Sequence, residues 1–213
     1  MKTKLIQNKS NDLVVFLTGW GCDDNQFKNF SSSKNLLLCW DYCTLDFEFD
    51  FSKYNKVSLL TYSAGVLIAC LLQDKLPELD KKVAVNGNPL MTDKKFGISK
   101  KIIDLMLNLN LDNCMDFIST YLVHDEQELK KFLSAPSYRP FESSKQEIIK
   151  LQEYCNLKFT PIKFDKVILS DNDKVFNPAT QQEYFKDNFV LLKKASHHTP
   201  FLRFSSVDEI FNL

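Results

Sequence analysis

Five short apolar runs with almost no polar alternation constrain this chain more than anything else in it. They are "LVVFLTGWG" (Leu13–Gly21), "NLLLCWDY" (Asn35–Tyr42), "KVSLLTYS" (Lys56–Ser63), "KKVAVNGNP" (Lys81–Pro89) and "FDKVILSDND" (Phe164–Asp173). A sixth, "FVLLKKASHH" (Phe189–His198), lies near the end. Runs of this kind read as strands covered on both faces, the signature of a parallel sheet. Helical spacing lies between several of them, at Ala64–Leu76, at Pro178–Lys186 and in a terminal Ser206–Leu213. Strand and helix in alternation predict an α/β fold with a mostly parallel, doubly wound sheet. The region from about residue 93 to 155 differs, with "SKKIIDLMLNLNL", "CMDFISTYLV", "DEQELKKFLS" and "SSKQEIIKLQEYC" all at helical spacing. It reads as a helical lid insertion within a single domain spanning residues 1–213.

The third run passes directly into a helix at Thr61-Tyr62-Ser63-Ala64-Gly65. A tight strand-to-helix turn holds its apex residue in a strained conformation and projects it away from the core. Small neighbours let the helix approach the strand. This is the pattern of a nucleophile elbow, G-x-S-x-G, with Thr61 in place of the first glycine. A serine hydroxyl needs a base to take its proton and a third group to orient that base. In sheets that carry such an elbow the chain order is serine, acid, histidine. Of the three histidines, His197 and His198 follow the last strand, whereas His124 lies in the helical region. The turn after the preceding strand offers Asp171 and Asp173. All three roles therefore occur in order, each just past the carboxyl end of a strand, where open sheets bind their ligands. Ester chemistry also needs donors for an oxyanion. The backbone N–H of Ala64, after the serine, and that of Trp20, in "TGWG" after the first long run, are the candidates.

Lysine plus arginine number 27 and aspartate plus glutamate 27, so no net field argues for nucleic acid. Several of the six cysteines lie inside apolar runs, and Cys39 and Cys43 have no second Cys or His pair to complete a metal site. No stretch reads as a signal peptide or a bilayer span. A reduced, cytoplasmic protein without membrane attachment, metal or organic cofactor is expected.

Taken together, "FLTGWGCD", "WDY", "YSAG", "NDKVFNP" and "HHTPF" resemble the BioG-type pimeloyl-acyl-carrier-protein methyl ester esterases, small α/β-hydrolases of biotin synthesis. The likeness runs from about residue 13 to 204 and is weakest in the helical insertion. It implies hydrolysis of the methyl ester of pimeloyl-acyl-carrier protein, releasing methanol. It further implies Ser63 as nucleophile, His198 as base, from its place in "HTPF", Asp173 as acid, and a structural place for Asp41. A methyl ester on a long acyl arm would need a narrow apolar channel. Leu105, Met106, Leu109, Met115, Phe117, Ile118 and Tyr121 are its candidates. Acyl-carrier proteins are acidic, which makes Lys94, Lys95, Lys100, Lys101 and Arg139 candidates for docking the partner. A short-chain carboxylesterase or acyl thioesterase with the same residues is an alternative, as is a non-catalytic binding module on the same fold.

Overall fold

The structure, a computed structural model, describes residues 1–213. Its core is one seven-stranded sheet. The strands are β1 (Lys2–Ile6), β2 (Leu13–Leu17), β3 (Asn35–Trp40), β4 (Val57–Tyr62), β5 (Lys82–Val85), β6 (Lys166–Ser170) and β7 (Val190–Leu192). Their order across the sheet is β1-β3-β2-β4-β5-β6-β7. Every neighbouring pair is parallel except β1 with β3. The six apolar runs supply β2 to β7. The edge strand β1 is an addition to the sequence reading: its "KTKLI" is mostly exposed and has no apolar run to betray it.

Alternate residues of each inner strand face opposite sides. Leu13, Val15 and Leu17 of β2 join one apolar cluster with Leu37, Leu59 and Ala84, whereas Val14 and Phe16 join another with Leu36, Leu38 and Leu60. The first cluster is closed by α1 (Gly65–Leu71), α2 (Lys100–Leu107) and α5 (Phe141–Tyr154), the second by Phe27 and the terminal helix α8 (Val207–Asn212). Both faces are thus buried, which explains why the strands lack polar alternation.

Between β5 and β6 the chain forms helices only: α2, α3 (Cys114–Phe117), which continues into a wide turn over Ile118–Leu122, then α4 (Glu126–Ser134) and α5. Ser99 caps α2 by accepting from Ile102 N–H, and Asp125 caps α4 by accepting from Gln127 and Glu128 N–H. Two shorter helices, α6 (Pro178–Phe185) and α7 (Pro200–Arg203), flank β7. Asn177 caps α6, with Pro178 at its first position.

The elbow explains why small residues follow the serine. Ser63 adopts φ +54, between β4 and α1. A Cβ at Gly65 would lie 2.7 Å from the Leu17 carbonyl carbon and 2.8 Å from Thr18 O, so only glycine lets α1 cross this close to β2. Thr61, at the position where glycine is more usual, is fully buried and donates from Oγ1 to Val83 O on β5 at 3.3 Å. Its side chain is absorbed by the neighbouring strand, so the helix keeps its close approach.

Gly65→Ala is expected to destabilise the protein by more than the ~1–3 kcal/mol usual for overpacking, because backbone rather than a flexible side chain stands in the way. Urea unfolding monitored by circular dichroism checks this; an unchanged midpoint would refute it.

Candidate active site

Three loops at the carboxyl ends of β4, β6 and β7 meet at Ser63. His197 Nε2 lies 2.9 Å from Ser63 Oγ, and His197 Nδ1 lies 2.8 Å from Asp173 Oδ2. Ser63, Asp173 and His197 are all buried, at 6%, 5% and 4% exposure. Asp173 is fixed from its other side, where Oδ1 accepts from Val175 N–H at 2.8 Å and Phe176 N–H at 3.0 Å. These donors belong to the turn "DKVFNP", so the loop that supplies the carboxylate also orients it. The histidine loop is held in turn. Asn86, at the end of β5, donates from Nδ2 to His197 O at 2.7 Å and to Ser170 Oγ at 2.8 Å. Ser196 N–H donates to Thr199 Oγ1 at 2.8 Å. The arrangement can pass the Ser63 proton to an imidazole whose tautomer is set by a carboxylate.

This corrects the expectation for His198. The adjacent side chains diverge, and it is His197 that reaches serine and acid. His198 Nδ1 instead lies 3.2 Å from Tyr62 Oη, and its ring sits among Phe27, Phe132 and Phe201. Burial, with repulsion from His197 second, pushes its pKa from 6.5 down to about 3. Asp171, the other acid considered, accepts from Ala195 N–H at 3.1 Å and holds the loop after β7.

The loop after β2 lies against the serine, since a Cβ at Gly19 would stand 3.3 Å from Ser63 Cβ. Neither Trp20 N–H nor Ala64 N–H has a backbone acceptor in the chain, whereas Gly21 N–H donates to Glu147 Oε2 at 2.9 Å. The two expected oxyanion donors are therefore free of backbone partners, while their neighbour is engaged.

A cavity of about 290 Å³ opens beside Ser63, lined mainly by apolar side chains. Of the expected channel residues, Met106, Leu109, Met115, Phe117 and Ile118 line it. Leu105 and Tyr121 do not. Leu105 turns outward on α2 at 36% exposure, and Tyr121 stacks on the ring of Phe117 at 5.1 Å. A second, open polar groove of about 890 Å³ runs past Lys94, Lys95 and Lys100 and meets the Asp173 turn away from the serine. Its polar walls suit the chemistry of an ester pocket less well than the apolar cavity does.

The docking candidates divide. Lys95 pairs with Glu183 and Lys100 with Asp104, while Lys94 and Lys101 have no carboxylate partner. Arg139 is not a surface cation. Its side chain is 4% exposed and bonded to Asp41 at 3.1 Å and Glu147 at 2.5 Å, so burial removes it from any docking face. The pair was missed in the sequence, although a signal existed. Ser144, Glu147, Ile148 and Leu151 form the buried stripe of α5, and a glutamate within such a stripe needs a buried partner. Burial raises the Glu147 pKa, opposed by Arg139 and the N–H groups of Gly21 and Tyr42. Donors from all three converge on its two oxygens, which favours the carboxylate. No three His, Cys, Asp or Glu side chains come together as a metal-binding group, and no helix is long and apolar enough to cross a membrane.

Comparison with known proteins bears on the family and the fold. A family model described as "Pimeloyl-ACP methyl esterase BioG" matches residues 1–210. The crystal structure of BioG from Haemophilus influenzae superimposes with a TM-score of 0.86 at 27% identity, covering 99% of this chain and 100% of that one. A malonyl-[acyl-carrier protein] O-methyltransferase of Bacteroides fragilis is 28% identical over 176 residues, which span 81% of this chain and 36% of that longer protein. A lipase-esterase related protein from Clostridium acetobutylicum shares the fold, with a TM-score of 0.64 at 17% identity over 95% of this chain and 93% of that one.

The depressed His198 pKa has a consequence for stability. Between about pH 6.5 and 3 the unfolded imidazole holds a proton that the folded one lacks, so stability falls as pH drops through that window and is unaffected above it. Between pH 7 and 5 the natural protein should lose about 2 kcal/mol more than a His198→Phe variant. Denaturant titrations at both pH values check this, and equal losses would refute it.

Proposed function

The chain belongs to the pimeloyl-ACP methyl esterase family BioG and is a carboxylic ester hydrolase, and we propose that it hydrolyses the methyl ester of pimeloyl-acyl-carrier protein with Ser63, His197 and Asp173 as its catalytic residues. The observation that carries the catalytic assignment is the unbroken path of hydrogen bonds from Ser63 Oγ through His197 to Asp173, with His197 in the place first expected of His198.

In this reading His197 Nε2 takes the Ser63 proton as Oγ attacks the ester carbonyl. The carbonyl oxygen becomes an oxyanion that the N–H groups of Trp20 and Ala64 stabilise. The imidazolium returns its proton to the departing methoxide, methanol leaves, and an acyl-serine remains. A water molecule, deprotonated by the same imidazole, then releases the free carboxylic acid and restores the serine. Asp173 does not take up the proton; it holds the ring and stabilises its transient charge.

The family match supports the acyl-carrier-protein substrate, and the resemblance noted in the sequence puts this proposed reaction in biotin synthesis. The apolar lining beside Ser63, which includes Met106, Leu109 and Phe117, suits the methylene chain of a pimeloyl group. Lys94 and Lys101, the lysines of that group without carboxylate partners, are the remaining candidates for docking the acidic carrier.

Three measurements test the reading. Methyl pimeloyl-acyl-carrier protein should be cleaved with a higher kcat/KM than a nitrophenyl ester or the matching thioester; the opposite ranking would favour a general esterase or thioesterase. A fluorophosphonate should add one label per chain, and Ser63→Ala should abolish it. His197→Ala should lower kcat by roughly a thousandfold or more, whereas His198→Phe should keep kcat per labelled site within about tenfold. The reverse pattern would return the base to His198.

A further inference from the structure

Two features of α5 bear on the loop that carries Trp20. Glu147, with no exposed surface, accepts from Gly21 N–H at 2.9 Å and from Tyr42 N–H at 2.8 Å. One turn earlier, Ser144 O accepts from Trp20 Nε1 at 2.6 Å. The Trp20 side chain and the peptide that follows it are thus both fastened to the same helix. The Trp20 N–H, in the peptide just before the Cα that carries both tethers, is left without a backbone acceptor. With its indole pinned on one side and the Gly21 N–H on the other, this residue has little freedom to rotate.

Glu147 is braced by Arg139, whose Nη1 donates to Oε2 and whose Nη2 donates to Asp41 Oδ1 at 3.1 Å and to Ser143 Oγ at 2.9 Å. Arg139 Nε has no partner, so the guanidinium is held by its two terminal nitrogens alone. A buried ion pair is a poor source of net stability, since desolvation offsets most of its attraction. What this one provides is direction. Two backbone N–H groups, one in the loop after β2 and one at the end of β3, are aimed at a single carboxylate.

We propose that Glu147, braced by Arg139, is a positioning residue that fixes the direction of the Trp20 N–H, so that α5 is a built part of the oxyanion site and not a cover that swings clear of it. Preorganised donors stabilise charge because they need not reorient as it develops, and a small misplacement of such a donor is costly. Glu147 does not touch substrate; it acts through the Gly21 peptide. The inference rests on the serine esterase reading above.

The test compares the natural protein with Glu147→Gln, which removes one acceptor oxygen and the charge but keeps the shape. Active sites are counted by fluorophosphonate labelling run to completion, and kcat is expressed per labelled site. A trifluoromethyl ketone, which forms an oxyanion on the serine, reports the donor geometry through its Ki. The expected result is a fall in kcat of tenfold or more, KM within about threefold, and a Ki raised by a similar factor. A kcat per site and a Ki both unchanged, with fewer labelled sites or a lower melting temperature, would make Glu147 structural only and overturn the proposal. If Glu147→Gln does not fold, Arg139→Lys loosens the brace on Glu147 by removing the guanidinium arm that reaches Asp41 and Ser143. Parallel several-fold changes in kcat and Ki are then expected, and none would overturn it. Failure of the natural protein itself to label or turn over would instead refute the esterase reading on which this one stands.

Discussion

The crossing of α1 over β2 sets the position of everything else at the site. At that point Gly65 has backbone carbonyl groups, those of Leu17 and Thr18, where a Cβ would be. Because the helix can come this close, Ser63 can stand at φ +54 on the turn and leave its hydroxyl at the rim of the sheet. A wider turn would move Oγ away from His197 and the loop after β2 away from Ser63. Strain at one residue is maintained because the surrounding packing is over-determined. Gly87 adds to this from the loop just after β5, where a Cβ would lie 2.7 Å from Ser63 Cα. The geometry of the candidate site is thus a by-product of how tightly three strands and one helix pack.

The helices between β5 and β6 are joined to that rim by buried carboxylates. Glu147 of α5 takes the loop after β2. Glu128 of α4 takes the histidine loop, accepting from Thr199 Oγ1 at 2.6 Å and Arg203 Nε at 3.1 Å. Leu122 O also accepts from His198 N–H at 2.8 Å. Each tether ends within a few residues of Trp20 or His197, groups of the proposed active site. A segment fastened in this way supplies the apolar cavity wall, through Met106, Leu109 and Phe117, and holds the two loops that face it. Wall and loops are therefore mechanically linked.

The sheet was legible because burial on both faces leaves few polar residues in a strand, and β2 to β7 coincide with the six apolar runs. The edge strand β1 was not, since its outward residues mix lysine and threonine and only β3 pairs with it. The serine was legible from a change of periodicity followed by two small residues. Asp173 and the histidine pair could be narrowed by chain order, but the choice between His197 and His198 could not. Two identical side chains next to each other differ only in the direction the backbone gives them, and that direction depends on Asn86, 111 residues before His197, and on the turn that Thr199 closes with Ser196. Arg139 was misread for a related reason. A cation in a lysine-rich chain looks like surface until its partners are known, and Asp41 lies 98 residues away in sequence.

The two histidines also divide a problem of charge. In the proposed mechanism an imidazolium exists briefly beside Ser63, stabilised by Asp173. A second imidazolium next to it would oppose that state by Coulomb repulsion in a region of low dielectric. His198 avoids this by being buried among Phe27, Phe132 and Phe201, with Tyr62 Oη as the polar neighbour of its Nδ1. Desolvation keeps it neutral at any pH where the enzyme would work. The same aromatic wall keeps water from one side of the histidine loop, and Tyr62, the residue before the serine, packs its ring against both imidazoles at 5.1 and 5.5 Å. Neutrality at His198 is therefore a condition that the packing imposes, and it leaves His197 as the one ring near the serine that has a carboxylate to support a positive charge.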